Sequence, residues 1–192
     1  FVLHAQPILD LASGAITQYE LLLRMTDGSE LVLPGAFLET AERTGLIQDI
    51  DRWVVKRAID LLAHEQAAGS DVRLEVNLSG KAFADSELLP MIQRELRATS
   101  IDPSRLVLEV TETAAIANID EAQKFLRTLR GMGCGFALDD FGVGFSSFSH
   151  LKHLPVDYLK IDGSFIRDLS HNTVDQHLVR AIVGVARGLG KQ

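Results

Sequence analysis

An α/β fold with a largely parallel sheet, closing as a (β/α) barrel, is what this 192-residue sequence predicts. Three observations carry the expectation. Short apolar runs alternate with longer amphipathic stretches, the link Asp10-Leu11-Ala12-Ser13-Gly14 has turn composition, and from the third run onward a helix separates each strand from the next. A strand–helix–strand order forces parallel neighbours joined by crossovers.

The strand candidates are residues 1–8, 17–24, 72–78, 105–111, 134–139 and 156–161, and the turn at Asp10–Gly14 folds the first back on the second as a hairpin. Helices are expected near 35–43, 46–68, 86–98, 119–131, 146–153 and 173–188. In the second of these, Ile50, Trp53, Val54, Ala58, Ile59, Leu61 and Leu62 recur at helical spacing between charged residues, so one face should lie on a sheet. Asp85 or Ser86 is placed to cap the next helix, Pro103 marks the loop before the fourth strand, and Pro155 ends the segment before it. Six strands fall short of the eight of a typical barrel. The last helix runs into Gly188-Leu189-Gly190-Lys191-Gln192, where a further strand is expected to start. The sequence is therefore expected to stop before the fold does. It reads as one domain, 1–192, and its start without methionine fits a part of a longer multidomain protein.

Composition narrows the class. With 46% hydrophobic and 23% charged residues, the chain is ordinary globular protein, and a domain of this size buries roughly 70% of its unfolded surface without a disulfide or zinc staple. The single cysteine, Cys134, permits no intramolecular disulfide, so a reducing, cytoplasmic compartment and a buried, inert thiol are expected. The net charge of −7, with cations scattered, argues against a duplex nucleic-acid footprint. No apolar run approaches the ~20 residues of a membrane span, so no membrane contact by this segment is expected, although other parts of a longer chain could be anchored.

Polar groups cluster at the ends of the apolar strands, where parallel α/β folds build their sites. Glu20 lies in the second run, Asn77 closes the third, Glu109 and Glu112 end the fourth, Asp139-Asp140 end the fifth, and Lys160 sits inside the sixth. Acids converging on one mouth repel unless cations hold them, and oxygen donors without histidine or cysteine suit Mg²⁺ or Mn²⁺. Adjacent Asp139 and Asp140 could serve two ions, which would polarise a water against a phosphodiester. Lys160 could hold that water or stabilise phosphoryl charge, and Arg24 could fork onto a phosphate oxygen. Taken singly, each has a plainer reading: Glu20 or Glu109 as a surface charge, Asn77 as a turn residue. His150 and His153 lack further ligands nearby, and Ser146-Ser147 read as helix-capping residues.

The motifs Gln6-Pro7-Ile8, Tyr19-Glu20-Leu21-Leu22-Leu23-Arg24, Val76-Asn77-Leu78-Ser79, Leu108-Glu109-Val110-Thr111-Glu112, Leu138 to Ser147 and Leu154 to Asp162 resemble, in order and spacing, those of EAL domains. The resemblance implies a TIM-like barrel with one antiparallel strand that hydrolyses cyclic di-GMP to linear pGpG in bacterial signalling. It implies Glu20, Asn77, Glu109 and Asp139 as metal ligands, with Asp139 and Asp140 serving a second ion. Lys160 matches the residue that positions the attacking water. Glu112 matches the glutamate that steadies the loop after Asp140, a loop connected in the family to a dimer interface. Gln6 and Arg24 match substrate-binding positions, and Leu22 lies where the dinucleotide packs.

Three departures stand out. Glu20-Leu21-Leu22 replaces Glu-Ala-Leu, which keeps the acid and alters an apolar neighbour. Val143 and Phe145 stand where threonine and tyrosine are usual, removing two hydroxyls from the loop. A further acid and a glutamine that the family carries on later strands would lie beyond Gln192, so the 192 residues alone are expected to be weakly active or inactive. The alternative reading is a non-catalytic cyclic di-GMP receptor or protein-interaction module.

Overall fold

The computed structural model describes residues 1–28, 30–143, 151–152 and 154–192. Strands β1 (Val2–Leu9) and β2 (Ile16–Asp27) form the expected antiparallel hairpin, with Gln6 opposite Glu20. The Asp10 carboxylate closes the turn by accepting from the Ala12 and Ser13 amides and the Ser13 hydroxyl, an Asx-type turn of the kind such residues favour. A short β3 (Glu30–Val32) pairs with the end of β2. Helices α1 (Leu38–Thr44) and α2 (Ile47–Ala67) lead to β4 (Arg73–Asn77), then α3 (Leu88–Thr99), β5 (Leu106–Thr111), α4 (Glu112–Ala117), α5 (Ile119–Arg130) and β6 (Gly135–Phe141). Beyond them lie β7 (Tyr158–Ile161), α6 (Gly163–Ile166) and α7 (Thr173–Gly188).

The main sheet runs β1-β2-β4-β5-β6-β7, and every pair after the hairpin is parallel. It is curled. Strands β2 and β7 lie four spacings apart, about 19 Å in a flat sheet at ~4.8 Å per spacing, yet the Lys160 ammonium on β7 reaches the Glu20 carboxylate on β2 at 2.8 Å. At the opposite end, Arg73 of β4 bonds the Tyr158 hydroxyl of β7 at 3.3 Å. The arc is part of a barrel with one antiparallel strand. Gln192 donates to the Asp157 carbonyl and accepts from the Leu159 amide, the bridge pattern of a parallel neighbour.

Alternation decides which side chains face which layer. Leu74, Val76, Leu106, Leu108, Val110, Phe136 and Leu138 are buried against the helices, meeting Val54, Val55, Ala58, Ile59 and Leu62 of α2, Ile92 and Leu96 of α3, and Leu126 and Leu129 of α5. The intervening residues face the inside of the arc, and there the polar groups gather. In α2 the expected stripe holds, except that Trp53 is partly exposed beside Phe1.

Some expectations need correction. Neither Asp85 nor Ser86 caps α3: the helix begins after Glu87, and the Asp85 carboxylate accepts from the Glu87 amide and pairs with Arg52 at 2.6 Å. Strand β6 runs through both aspartates to Phe141, and Glu112 opens a helix instead of ending a strand. Most of the helix expected over 146–153 lies outside the described residues, as do His150, His153, Phe145 and Ser146-Ser147.

Candidate active site

The inner face of the arc brings four strands to one ammonium. Lys160 Nζ lies 2.8 Å from Glu20 Oε2 and 3.8 Å from Glu75 Oε2, and it donates a short hydrogen bond to Glu109 Oε1. Asn77 donates its amide to Glu20 Oε1 at 2.8 Å. The register explains the convergence: Glu20 lies beside Glu75 and Asn77 beside Glu109, two layers of lumen-facing residues. Between Glu109 and Tyr158 the same layer carries Ala137. Its methyl leaves room for the Lys160 side chain to cross β6.

The electrostatics are those of a crowded acidic interior. Carboxylate oxygens of Glu20, Glu75 and Glu109 all lie within 4.8 Å of one another. Burial pushes the Glu109 carboxyl up to about 8, against the pull of Lys160, with Glu20 and Asp139 adding repulsion. Glu75 is also raised, first by burial. Burial alone would lower the Lys160 ammonium, but Glu109 and Glu20 outweigh it and hold Lys160 above the ordinary lysine range. Glu75 Oε2 and Glu109 Oε2 are buried without a hydrogen-bond partner among the described residues. The orphaned Glu109 oxygen, beside the Glu20 carboxylate and the Asn77 amide in an all-oxygen donor set, fits a hard divalent cation, which could be held here.

The two aspartates diverge. Asp139 faces the arc near enough to act on Glu75 and Glu109. Asp140 adopts φ +54, a left-handed conformation uncommon outside glycine. Its carboxyl is raised by burial, by the charge of Asp139 and by a hydrogen bond with Asp162, whose own carboxyl Ser164 holds low. Asp140 is therefore not one of the tight carboxylate trio. Glu112, buried at the start of α4, accepts from the Gly142 amide at 3.4 Å, two residues past Asp140. Thr111 caps that helix through the Ala114 amide.

A cavity of about 400 Å³ adjoins the cluster, lined by Glu20, Leu22, Arg24, Asp51, Asn77 and Thr111 among others. Arg24 donates to the Leu23 carbonyl. Gln6 is exposed on β1, level with Glu20. Asp51 is 3% exposed and accepts from the Ser79 amide at 3.1 Å and hydroxyl at 2.5 Å, so α2 fixes the loop after Asn77. Sequence reasoning missed Glu75, Gln18, Asp51 and Asp162. For Glu75 the signal was present: alternation that turns Asn77 inward turns Glu75 inward too.

Known proteins share this fold. Residues 1–192 match the family model described as EAL domain. The chain is 40% identical over 190 residues to the bifunctional diguanylate cyclase/cyclic di-GMP phosphodiesterase MucR of Pseudomonas aeruginosa, covering 98% of this chain and 28% of that protein. To cyclic di-GMP phosphodiesterase PdeF of Escherichia coli it is 37% identical over 188 residues, covering 97% and 25%. The chain thus spans about a quarter of the length of these curated relatives. Among solved structures, the PaMucR phosphodiesterase in complex with c-di-GMP superposes with a TM-score of 0.92 at 40% identity, covering 99% of this chain and 78% of that one. The FimX EAL domain of Xanthomonas citri in complex with c-diGMP gives 0.92 at 33% identity, covering 99% and 74%. A model matched from first residue to last, relatives at this identity and a shared partial barrel together make the chain a member of the EAL domain family.

Proposed function

We propose that the chain belongs to the cytoplasmic signalling domain with which a longer bacterial protein carries out metal-dependent hydrolysis of cyclic di-GMP to linear 5′-pGpG. The observation that carries the reading is the convergence of Glu20, Asn77, Glu109 and Lys160 from four strands on one point of the arc. Relatives named as cyclic di-GMP phosphodiesterases and neighbours solved with c-di-GMP support the substrate.

In this reading Glu20, Asn77, Glu109 and Asp139 would hold Mg²⁺ or Mn²⁺, with Asp139 and Asp140 available to a second ion. The bound ions would supply Lewis acidity and a water of lowered pKa. Lys160 orients the attacking water and neutralises charge growing on the phosphoryl oxygens. The water oxygen bonds to phosphorus as the P–O3′ bond breaks, the 3′ oxygen takes a proton, and the product keeps a 5′-phosphate. Arg24 and Gln6 bind the dinucleotide's polar edge, and Leu22 packs against it in the adjoining cavity. Glu112 steadies the loop after Asp140 through the Gly142 amide, and that loop is where a homodimer contact would be felt.

Magnesium-dependent conversion of cyclic di-GMP to pGpG by the full-length protein, abolished in Glu20→Ala, is the expected result. Tight cyclic di-GMP binding with no turnover at any Mg²⁺ or Mn²⁺ concentration would instead establish a receptor.

A further inference from the structure

Glu75 has no role in the ligand set above, and its geometry asks for one. It is 2% exposed, on a strand whose neighbours Leu74 and Val76 are buried on the opposite face. Gln18 of β2 donates to its Oε1, fixing the carboxylate from behind. The other oxygen, Oε2, is buried, has no hydrogen-bond partner among the described residues, and faces Lys160 Nζ at 3.8 Å. A buried carboxylate is costly unless it answers another charge, and the cation facing it is Lys160.

Resting on the proposed metal site, we infer that Glu75 is a positioning residue that takes over the Lys160 ammonium when a divalent cation claims Glu20 and Glu109. Lys160 bridges Glu20 and Glu109. A cation using those oxygens must compete with Lys160 for them. The displaced ammonium, whose side chain is 26% exposed, would then be left poorly compensated. Glu75 removes that penalty. Its second oxygen has no hydrogen bond among the described residues and is already within ion-pair reach, so the lysine moves little and stays beside the reacting centre. Gln18 completes the device by keeping the Glu75 carboxylate pointed into the arc.

The rival account makes Glu75 a direct metal ligand, since its oxygens lie within 4.8 Å of those of Glu20 and Glu109. A double-mutant cycle on Mn²⁺ affinity separates the two. It is measured by electron paramagnetic resonance on the full-length protein without nucleotide, counting the Mn²⁺ site lost in Glu109→Gln. Glu75→Gln keeps shape and removes charge, and Lys160→Met removes the ammonium. A positioning role predicts that Glu75→Gln weakens Mn²⁺ by ~10- to 100-fold in the unaltered background and has little effect in the Lys160→Met background. Equal weakening in both backgrounds would make Glu75 a ligand and overturn the inference. No weakening in either would reduce it to a buried structural acid, also against the inference. Because no turnover is read, these failures are distinct from failure of the proposed hydrolysis. Absence of any Glu109-dependent Mn²⁺ site in the unaltered protein would overturn the metal reading and the inference together.

Discussion

Asp51 offers a prediction whose magnitude follows from the structure. Its carboxyl is 3% exposed on α2, accepts two hydrogen bonds from Ser79, and is pushed by burial from 3.8 up to about 6, with the charges of Asp85 and Glu42 adding to the rise. The folded value lies above the unfolded one, so as pH rises the unfolded chain releases its proton first, and stability is lost between about pH 4 and pH 6. At ~1.4 kcal/mol per pH unit this displacement corresponds to ~3 kcal/mol. Asparagine reproduces the protonated carboxyl, with one donor group and one acceptor for Ser79, but never ionises. Urea unfolding of wild type and Asp51→Asn, followed by circular dichroism in chelator from pH 3.5 to 8, checks the argument. The two proteins should be equally stable at the acid end, and Asp51→Asn should be more stable by ~3 kcal/mol above pH 6.5. Parallel curves, or a wild type that gains on the mutant as pH rises, would show that Asp51 does not ionise at a cost to the fold.

Further outcomes follow from other sites. Lys160→Met should lower kcat by ~10²- to 10³-fold with a smaller effect on KM for cyclic di-GMP, and equal losses in binding and turnover would count against its place at the reacting centre. Gly142→Ala should destabilise by ~1–3 kcal/mol, because φ is +105 and an added Cβ would lie 3.0 Å from Phe165 and 3.2 Å from Ile182; it should also shift the Gly142 amide away from Glu112, read as faster hydrogen exchange there. Cys134, 3% exposed and with its thiol pushed by burial up to about 12, should resist maleimide at pH 8 until urea unfolds the chain.

What the sequence could and could not convey divides along physical lines. The hairpin was legible because Asp10, Ser13 and Gly14 carry turn chemistry in their own side chains and backbone. The parallel order was legible because helical and extended periodicities alternate. Glu20, Asn77, Glu109 and Lys160 were legible as polar interruptions of apolar strands, and the structure joins all four. Glu75 was passed over because it stands between two apolar residues in mid-strand, and only the alternation across β4, combined with the parallel register, shows that it shares the face of Asn77. Strand β3 and helix α6, at three and four residues, are too short for periodicity to register. The divergence of Asp139 and Asp140 was hidden because it depends on the left-handed backbone at Asp140 and on Asp162, a residue 22 positions later that pairing brings alongside.

The proposed catalysis stands or falls with Glu20, Asn77 and Glu109 holding one divalent cation beside Lys160. Anomalous diffraction at the manganese edge, from crystals of the protein grown with Mn²⁺, tests it most directly. A peak within about 2.0–2.4 Å of oxygens from all three residues is expected. A peak placed only between Asp140 and Asp162, or no peak among Glu20, Asn77 and Glu109 at saturating Mn²⁺, would contradict it.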